Sequence, residues 1–343
     1  MTDRDVFARD WQVWQERRWR DVAGPHGIAA LAATHWLGAA EQRLEGIPGR
    51  WRAEGAAAIG AGLLEADPMG AAVTRLDGTA VEDEVLLVGG DELRLGVGQG
   101  AAQLPRNHED ARLRIFVREG VPALRRIDPA AEGRTSLRRI DAHEPDPAWV
   151  VEAQWTAGGT ALGADTLEIE QVDGHRTRRS DVGSLAFELD GRELRLTTTG
   201  GIDADGNPAL AVVFTDATSG DGSYRFRFLR LPLPDASGAV TIDFNRAFLP
   251  PCAFSDHYVC PMPSPENRLD ISIRAGERMP VLHSAGAAAA AGQSLQEYLR
   301  AKLEAESARP TLEDVLARAG GRAGGSLSFS EAVELVRGDR DHR

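Results

Sequence analysis

Residues 184–214 read SLAFELDGRELRLTTTGGIDADGNPALAVVF. Apolar and polar residues alternate in SLAFEL and RELRLTT, and ALAVVF is a short β-branched run, which are the patterns of strands. Between them stand Asp190-Gly191 and Asp205-Gly206, pairs that tolerate positive φ and suit the primed turns of tight hairpins. The stretch therefore predicts an antiparallel meander. The same grammar continues outward through AVTRL, EVLLV, ARLRIFV, WVVEAQW and DTLEIEQV, punctuated by Asp77-Gly78, Gly89-Gly90, Asp173-Gly174 and Asp221-Gly222. Arg118-Glu119-Gly120 leading into Val121-Pro122-Ala123-Leu124-Arg125 reads as a hairpin, and Asp146-Pro147-Ala148-Trp149 opens a strand. Between the strands there are no helical patterns of roughly 10–15 residues, the mark of a parallel βαβ sheet. The expected fold is mainly β: an antiparallel β-sandwich or barrel-like core over residues 25–280, with one or two sub-cores.

Ahead of it, Phe7, Trp11 and Trp14 fall at i, i+4 and i+7, with Arg9, Asp10, Glu16 and Arg17 on the remaining face. That spacing predicts a helix over residues 1–24, docked on the core by its aromatic stripe and ended by Gly24-Pro25. Gly96-Val97-Gly98-Gln99-Gly100 is followed by Pro105 and a polar stretch rather than a helix, so it reads as a glycine-rich turn and not a phosphate loop. A net charge of −13 argues against a general phosphate-binding surface. Lys302 is the only lysine, which reads as genome composition. The N-terminal MTDRDVFARDWQVW carries acidic residues where a signal peptide needs basic ones, and no apolar stretch approaches the roughly 20 residues of a membrane span, so a cytoplasmic location is expected. In that compartment Cys252 and Cys260 are expected as thiols.

The most unusual stretch is residues 243–277, DFNRAFLPPCAFSDHYVCPMPSPENRLDISIRAGE, which holds both cysteines and five of the eighteen prolines. Val240 to Phe244 reads as a late strand, with Asp243 and Asn245 on one face. Pro250-Pro251 then ends any ladder, so Cys252 to Pro265 is expected as a rigid, wrapped loop. Cys252, His257 and Cys260 give three potential metal ligands where a structural zinc needs four, and no metal or other cofactor is expected. Ser255, Asp256 and His257 are adjacent, so their side chains diverge and cannot form a triad. Cys252 reads either as a nucleophile beside His257 or an arginine, or as a buried inert thiol. Glu266-Asn267-Arg268, with Glu277 and Asp216 as further carboxylates, reads in two ways. Arg268 could grip a carboxylate or phosphate ligand, or an internal arginine–carboxylate network could tie the loop to the sheet.

The phrases DFNRAF, PPCAF, CPMPSPENRL and IRAGE resemble the signature of a bacterial domain-of-unknown-function family, number 1684. FTDATSGDGSYRFRFLRL, REGVPALRRIDP and DPAWVVEA extend the resemblance over about residues 10–280. One departure is Arg225-Phe226-Arg227 after Tyr224, where that family has small residues before an arginine. The resemblance implies a β-rich fold and supplies no reaction. The expected site is a small polar or anionic ligand held by Asp243, Asn245, Cys252, Cys260, Glu266, Asn267, Arg268 and Glu277.

After Pro280 the β pattern gives way to alanine-rich sequence, expected as a helical tail over residues 281–343. Ser294-Leu295-Gln296-Glu297, Thr311-Leu312-Glu313-Asp314 and Ser328-Phe329-Ser330-Glu331 are capping boxes opening three helices, with a hinge at Gly320 to Gly325. The phrases AAAAAGQSLQEYLRAKL, RPTLEDVLAR and GGSLSFSEAVELVRGDR resemble the C-terminal half of VapB or FitA antitoxins. That resemblance implies a PIN-domain ribonuclease toxin as partner, with Phe329, Val333 and Val336 as anchors and Arg337 or Arg340 reaching its acidic metal site. Short amphipathic helices on a hinge suit a partner's groove. The alternative function is therefore toxin neutralisation. The DNA-reading ribbon would fall on Ile271-Ser272-Ile273-Arg274, which the β domain also needs as an internal strand, so operator binding is expected to be lost or weak.

Overall fold

A computed structural model describes residues 3–63, 71–77, 79, 81–97 and 111–283, all within one compact unit, Met1–His283. The chain opens with helix α1 (Asp3–Ala23). Phe7, Trp11, Trp14, Arg18 and Val22 follow one another at steps of three and four, and this stripe faces the body. An arginine thus occupies a position on the buried stripe.

Nine strands follow: β1 (Leu31–Trp36), β2 (Gln42–Leu44), β3 (Ile47–Glu54), β4 (Ala57–Ala61), β5 (Ala71–Arg75), β6 (Glu84–Leu87), β7 (Glu92–Val97), β8 (Ala111–Arg118) and β9 (Val121–Ile127). They form a five-stranded sheet, β1-β9-β8-β7-β5, and a four-stranded sheet, β2-β3-β4-β6. The alternate residues Leu93 and Leu95, Leu113 and Ile115, and Val85 and Leu87 share one core, so the inner faces of the two sheets pack together. Trp51 is fully buried in it, its indole N–H donating to the Pro48 carbonyl at 2.8 Å. Gly60 lies against that ring, where a Cβ would come within 2.7 Å, so only glycine fits.

A short helix α2 (Glu132–Thr135) leads to β10 (Leu137–Ala142), β11 (Val150–Ala157), β12 (Leu167–Glu170), β13 (Arg176–Arg179), β14 (Val182–Leu189), β15 (Arg192–Ile202), β16 (Pro208–Phe214), β17 (Arg227–Leu231), β18 (Ala239–Asp243) and β19 (Glu277–Leu282). Six of them form the sheet β17-β16-β15-β14-β11-β18, while β12–β13 is a separate hairpin and β10–β19 a separate pair. The named strand pairs are all antiparallel. Leu185, Phe187, Leu196, Val212, Phe214 and Ile242 point from the six-stranded sheet into a second core. What covers them is irregular chain: Phe244, Ala247, Leu269, Ile271, Ile273 and Ala275 all come from the 243–277 stretch. Two hairpins carry the expected primed geometry, with both central residues at positive φ: Glu119 (50°) and Gly120 (82°), and Asp190 (52°) and Gly191 (70°).

Three expectations about the C-terminal part of the body need correction. β18 stops at Asp243 and residues 244–246 form a 3-10 turn, so Asp243 and Asn245 do not share a strand face. Ile271 to Arg274 is extended but outside any strand, because its polar backbone is satisfied by Asp216 and Ala217 instead of a ladder. The β structure continues through Pro280 to Leu282, and the proline is tolerated because β19 pairs with β10 alone. The expected tail helices, with Phe329, Val333, Val336, Arg337 and Arg340, lie outside the described residues, as do Gly78 and Gly98 to Gly100. Among the described residues no helix is long and apolar enough to cross a membrane.

Candidate functional site

The 243–277 stretch is fastened by polar side chains that reach far along the chain. Asn245, fully buried, accepts from the Asp146 amide at 2.9 Å and donates to the Asp146 carbonyl at 3.0 Å and to Asp243 at 2.9 Å. Asn267 does the same at the other sheet end: its carbonyl accepts from the Thr197 amide at 2.7 Å, and its amide donates to the carbonyls of Thr197 and Val213, both at 2.9 Å. Glu266 accepts from the Thr197 hydroxyl at 2.8 Å and the Leu162 amide at 3.1 Å. These groups replace the ladder that an irregular segment lacks, which is the requirement for burying its backbone.

Beneath them lies a buried ion pair. Arg227 and Asp216 meet at 2.5 Å with no solvent exposure on either side chain. Arg227 also donates to the carbonyls of Ile273 (3.0 Å) and Ala275 (2.5 Å), while Asp216 accepts from the amide and hydroxyl of Thr218, both at 2.7 Å. The network that ties the stretch to the sheet is therefore built on Arg227. Arg268 is exposed and carries no ion pair among the described residues. Gly276 completes the turn into β19: at φ +77° a Cβ would stand 2.5 Å from the Ala247 carbonyl oxygen.

Helix α1 docks on this same stretch. The Trp11 indole donates to the Asn245 carbonyl at 3.0 Å, and Arg246 pairs with Asp10. Arg18 contacts Glu277 through Nε at 2.9 Å, and its Nη2 donates to the Leu249 carbonyl at 2.8 Å. Glu277, itself buried, accepts the Leu249 amide at 2.7 Å. The Arg18 guanidinium stands over the rings of Phe248 and Phe254 at 4.9 and 5.7 Å.

A cavity of about 650 Å³ opens between the second half of α1 and the strand pair β10–β19. Arg18 and Glu277 line it together with Trp19, Arg20, Arg139 and Asp141. Arg18 spends Nε and Nη2 on Glu277 and Leu249, which leaves Nη1 without a hydrogen bond among the described residues. Arg20 makes one bond, a long one of 3.4 Å to the Glu16 carbonyl, and Arg139 pairs with Asp141 at 2.5 Å in the open. Trp19 is exposed beside them. Among the described residues no hydroxyl, thiol, imidazole or amine side chain lines this space, and its one buried carboxylate, Glu277, is already bonded to Arg18 and the Leu249 amide. Three guanidiniums (Arg18, Arg20, Arg139) and three carboxylates (Glu16, Asp141, Glu277) line it with Trp19, and the Arg18 and Arg139 charges are already paired with Glu277 and Asp141.

Of the eight expected ligand residues, the structure brings only Glu277 to this cavity. Asp243, Asn245, Glu266 and Asn267 are spent on the fold, and Cys252 and Cys260 sit in a separate apolar cluster with Phe226 and Phe228. His257 is exposed while both thiols are buried, and among the described residues no cluster of histidine, cysteine and carboxylate is placed to hold a metal. Arg18 was the residue missed, although its place on the aromatic stripe, four residues from both Trp14 and Val22, marks it as a buried charge.

Residues 135–278 match the family described as Protein of unknown function (DUF1684). Over that range the chain is similar to the DUF1684 family. The match begins just before β10 and closes at Arg278, so it spans the six-stranded sheet and its irregular cover. It is narrower than the expected residues 10–280, and α1 and the first two sheets lie outside it. The DUF1684 region thus supplies Glu277 to the cavity, and α1 supplies Arg18. An uncharacterised protein of Haloarcula marismortui, solved by solution NMR, is 32% identical over 41% of this chain and 77% of its own, with a TM-score of 0.33. No curated protein matches the chain.

Proposed function

We propose that the protein binds a small anionic metabolite in the cavity between α1 and β10–β19. The observation that supports this is Arg18, a cavity-lining guanidinium held almost buried by Glu277 and Leu249, whose Nη1 makes no hydrogen bond among the described residues. A carboxylate or phosphate oxygen placed there gains a charge-assisted bond from a donor that is already oriented. Arg20 and Arg139 add two more guanidiniums, and Trp19 with Ile140 offers an apolar wall for the rest of the ligand. The anion specificity expected from the sequence is kept, with its seat moved from Arg268 to Arg18.

The test is a thermal-shift screen of carboxylated and phosphorylated metabolites on the full chain, followed by calorimetry. Arg20→Ala with Arg139→Ala removes exposed cations, so the unliganded melting temperature should stay close to wild type. A binder present at a hundredfold its Kd should stabilise the wild type by about 2.7 kcal/mol and the double variant much less. The idea fails if no anionic compound shifts melting, or if the double variant responds as strongly as wild type.

The tail carries a second reading, toxin neutralisation, favoured by the terminal phrase VELVRGDRDHR. A PIN-domain ribonuclease should copurify with the full chain and be lost when residues 326–343 are removed. A full chain that purifies alone and leaves such a toxin active would end this reading.

A further inference from the structure

The two cysteines stand eight positions apart on the irregular loop, and the fold brings the Cys260 sulfur back against the Cys252 backbone. The Cys252 amide donates to the Cys260 Sγ at 3.3 Å, and both residues pack with Phe226 and Phe228 as free thiols. The segment between them is a clasp on the first sheet. Ser255 donates to the Leu31 carbonyl at 2.7 Å, and the Thr34 hydroxyl donates to the His257 carbonyl at 3.0 Å. At its end the Val172 amide donates to the Cys260 carbonyl at 3.0 Å, which ties the clasp to the β12–β13 hairpin. The sulfurs therefore sit at the neck of a loop that joins the two β bodies.

We propose that Cys252 and Cys260 form a reactive dithiol site that takes a hydroperoxide as oxidant and closes to an intramolecular disulfide. Cys252 is assigned as the attacking sulfur because Tyr224 and Arg225 stand beside it, both cysteines being buried. Tyr224 lies alongside, its hydroxyl donating to the Cys252 carbonyl at 3.3 Å, and the Arg225 guanidinium stands near the Tyr224 and Phe226 rings. A hydrogen bond from the Cys260 thiol, opposed by burial and assisted by Arg225 and Tyr224, draws Cys252 down to about 7. The same bond and burial push Cys260 up, so the pair holds one proton firmly and releases the other.

The chemistry balances without any further component. The Cys252 thiolate attacks one peroxide oxygen and the O–O bond breaks, leaving a sulfenic acid and releasing hydroxide or alkoxide that takes up a proton. The Cys260 sulfur then displaces the sulfenic hydroxyl, which leaves with the Cys260 proton as water, and the S–S bond forms. Two electrons pass from the dithiol to the peroxide.

The full-length chain contains no other cysteine, so its mass reports the outcome directly. Reduced protein is treated with hydrogen peroxide while folded and then analysed by intact mass and peptide mapping. The expected result is loss of the mass of two hydrogen atoms and a link between Cys252 and Cys260. Cys260→Ser should instead trap a sulfenic acid on Cys252 that reacts with dimedone, and native alkylation of Cys252 in the wild type should rise steeply through pH values of about 7. If the serine variant does not fold, the wild-type peptide map alone decides. Two thiols that remain alkylatable after peroxide, oxygen adducts with no disulfide, or a link between chains would each overturn the proposal.

Discussion

Replacing Arg227 by methionine keeps much of the side chain's length but removes the charge and all donors from a place without solvent. Three buried groups lose their partner. Asp216 loses its counter-ion at 2.5 Å and stays buried, held by the Thr218 amide and hydroxyl and the Ile273 amide. The carbonyls of Ile273 and Ala275 lose their donor. Breaking a buried pair from one side costs about 3–5 kcal/mol, and an orphaned buried carbonyl about 1–3 kcal/mol. Some of this is recovered if Asp216 takes up a proton, so a loss of about 4 kcal/mol is expected, against a whole-domain stability of about 5–15 kcal/mol. With an m-value of about 3 kcal/mol/M in urea, the midpoint should fall by more than about 1 M. Arg227→Lys keeps the charge but not the fork that spans Asp216 and two carbonyls, and should fall by about half as much. Adding Asp216→Leu to Arg227→Met should not restore wild-type stability, because the carbonyls of Ile273 and Ala275 remain unpaired. The experiment is equilibrium urea unfolding followed by far-UV circular dichroism and tryptophan fluorescence. A shift in Arg227→Met equivalent to less than about 1 kcal/mol, or full recovery in the double variant, would refute the network as the anchor of the 243–277 stretch.

Gly276→Ala combines a left-handed backbone at φ +77° with a Cβ driven to 2.5 Å from the Ala247 carbonyl oxygen, so a loss of about 1–3 kcal/mol in the same unfolding assay is expected, and an unchanged midpoint would contradict the packing described. Glu92 is raised by burial but lowered more by its bonds to Arg114 and Arg112, so its folded pKa lies below the ordinary carboxylate range. A depressed carboxylate stabilises the fold above its unfolded pKa, and that contribution is lost as pH falls through the folded value. Glu92→Gln should therefore cost about 1 kcal/mol or less at neutral pH, with the gap to wild type narrowing as the pH falls through and below the ordinary carboxylate range, as measured by urea melts at neutral and acidic pH; a gap that widens on acidification would reverse the assignment.

The hairpins were readable because their causes are local. Glu119-Gly120 and Asp190-Gly191 lie inside short alternating runs, and the positive φ values they supply are what the turns need. Strands such as β1 and β19 were less visible. β19 contains a proline and pairs with a strand about 140 residues upstream, a partner that spacing does not reveal. In residues 243–277 the sequence advertised constraint but not its purpose. Asn245, Glu266 and Asn267 look like ligand groups until Asp146, Leu162 and Thr197 are placed against them. The candidate site was legible at one end only. Glu277 closes a recognisable phrase, whereas Arg18 required that the helical stripe be followed past its tryptophans.

The sequence by itself determined an antiparallel β chain with an amphipathic helix before it, since alternation, turn pairs and helical spacing act between residues that are near neighbours. Only the tertiary structure decided which polar groups are spent. Arg18 meets Glu277 across 259 positions, and Arg227 reaches carbonyls 46 and 48 residues on. A buried charge must find a partner wherever folding brings one, and that choice is fixed by packing in space rather than by order along the chain.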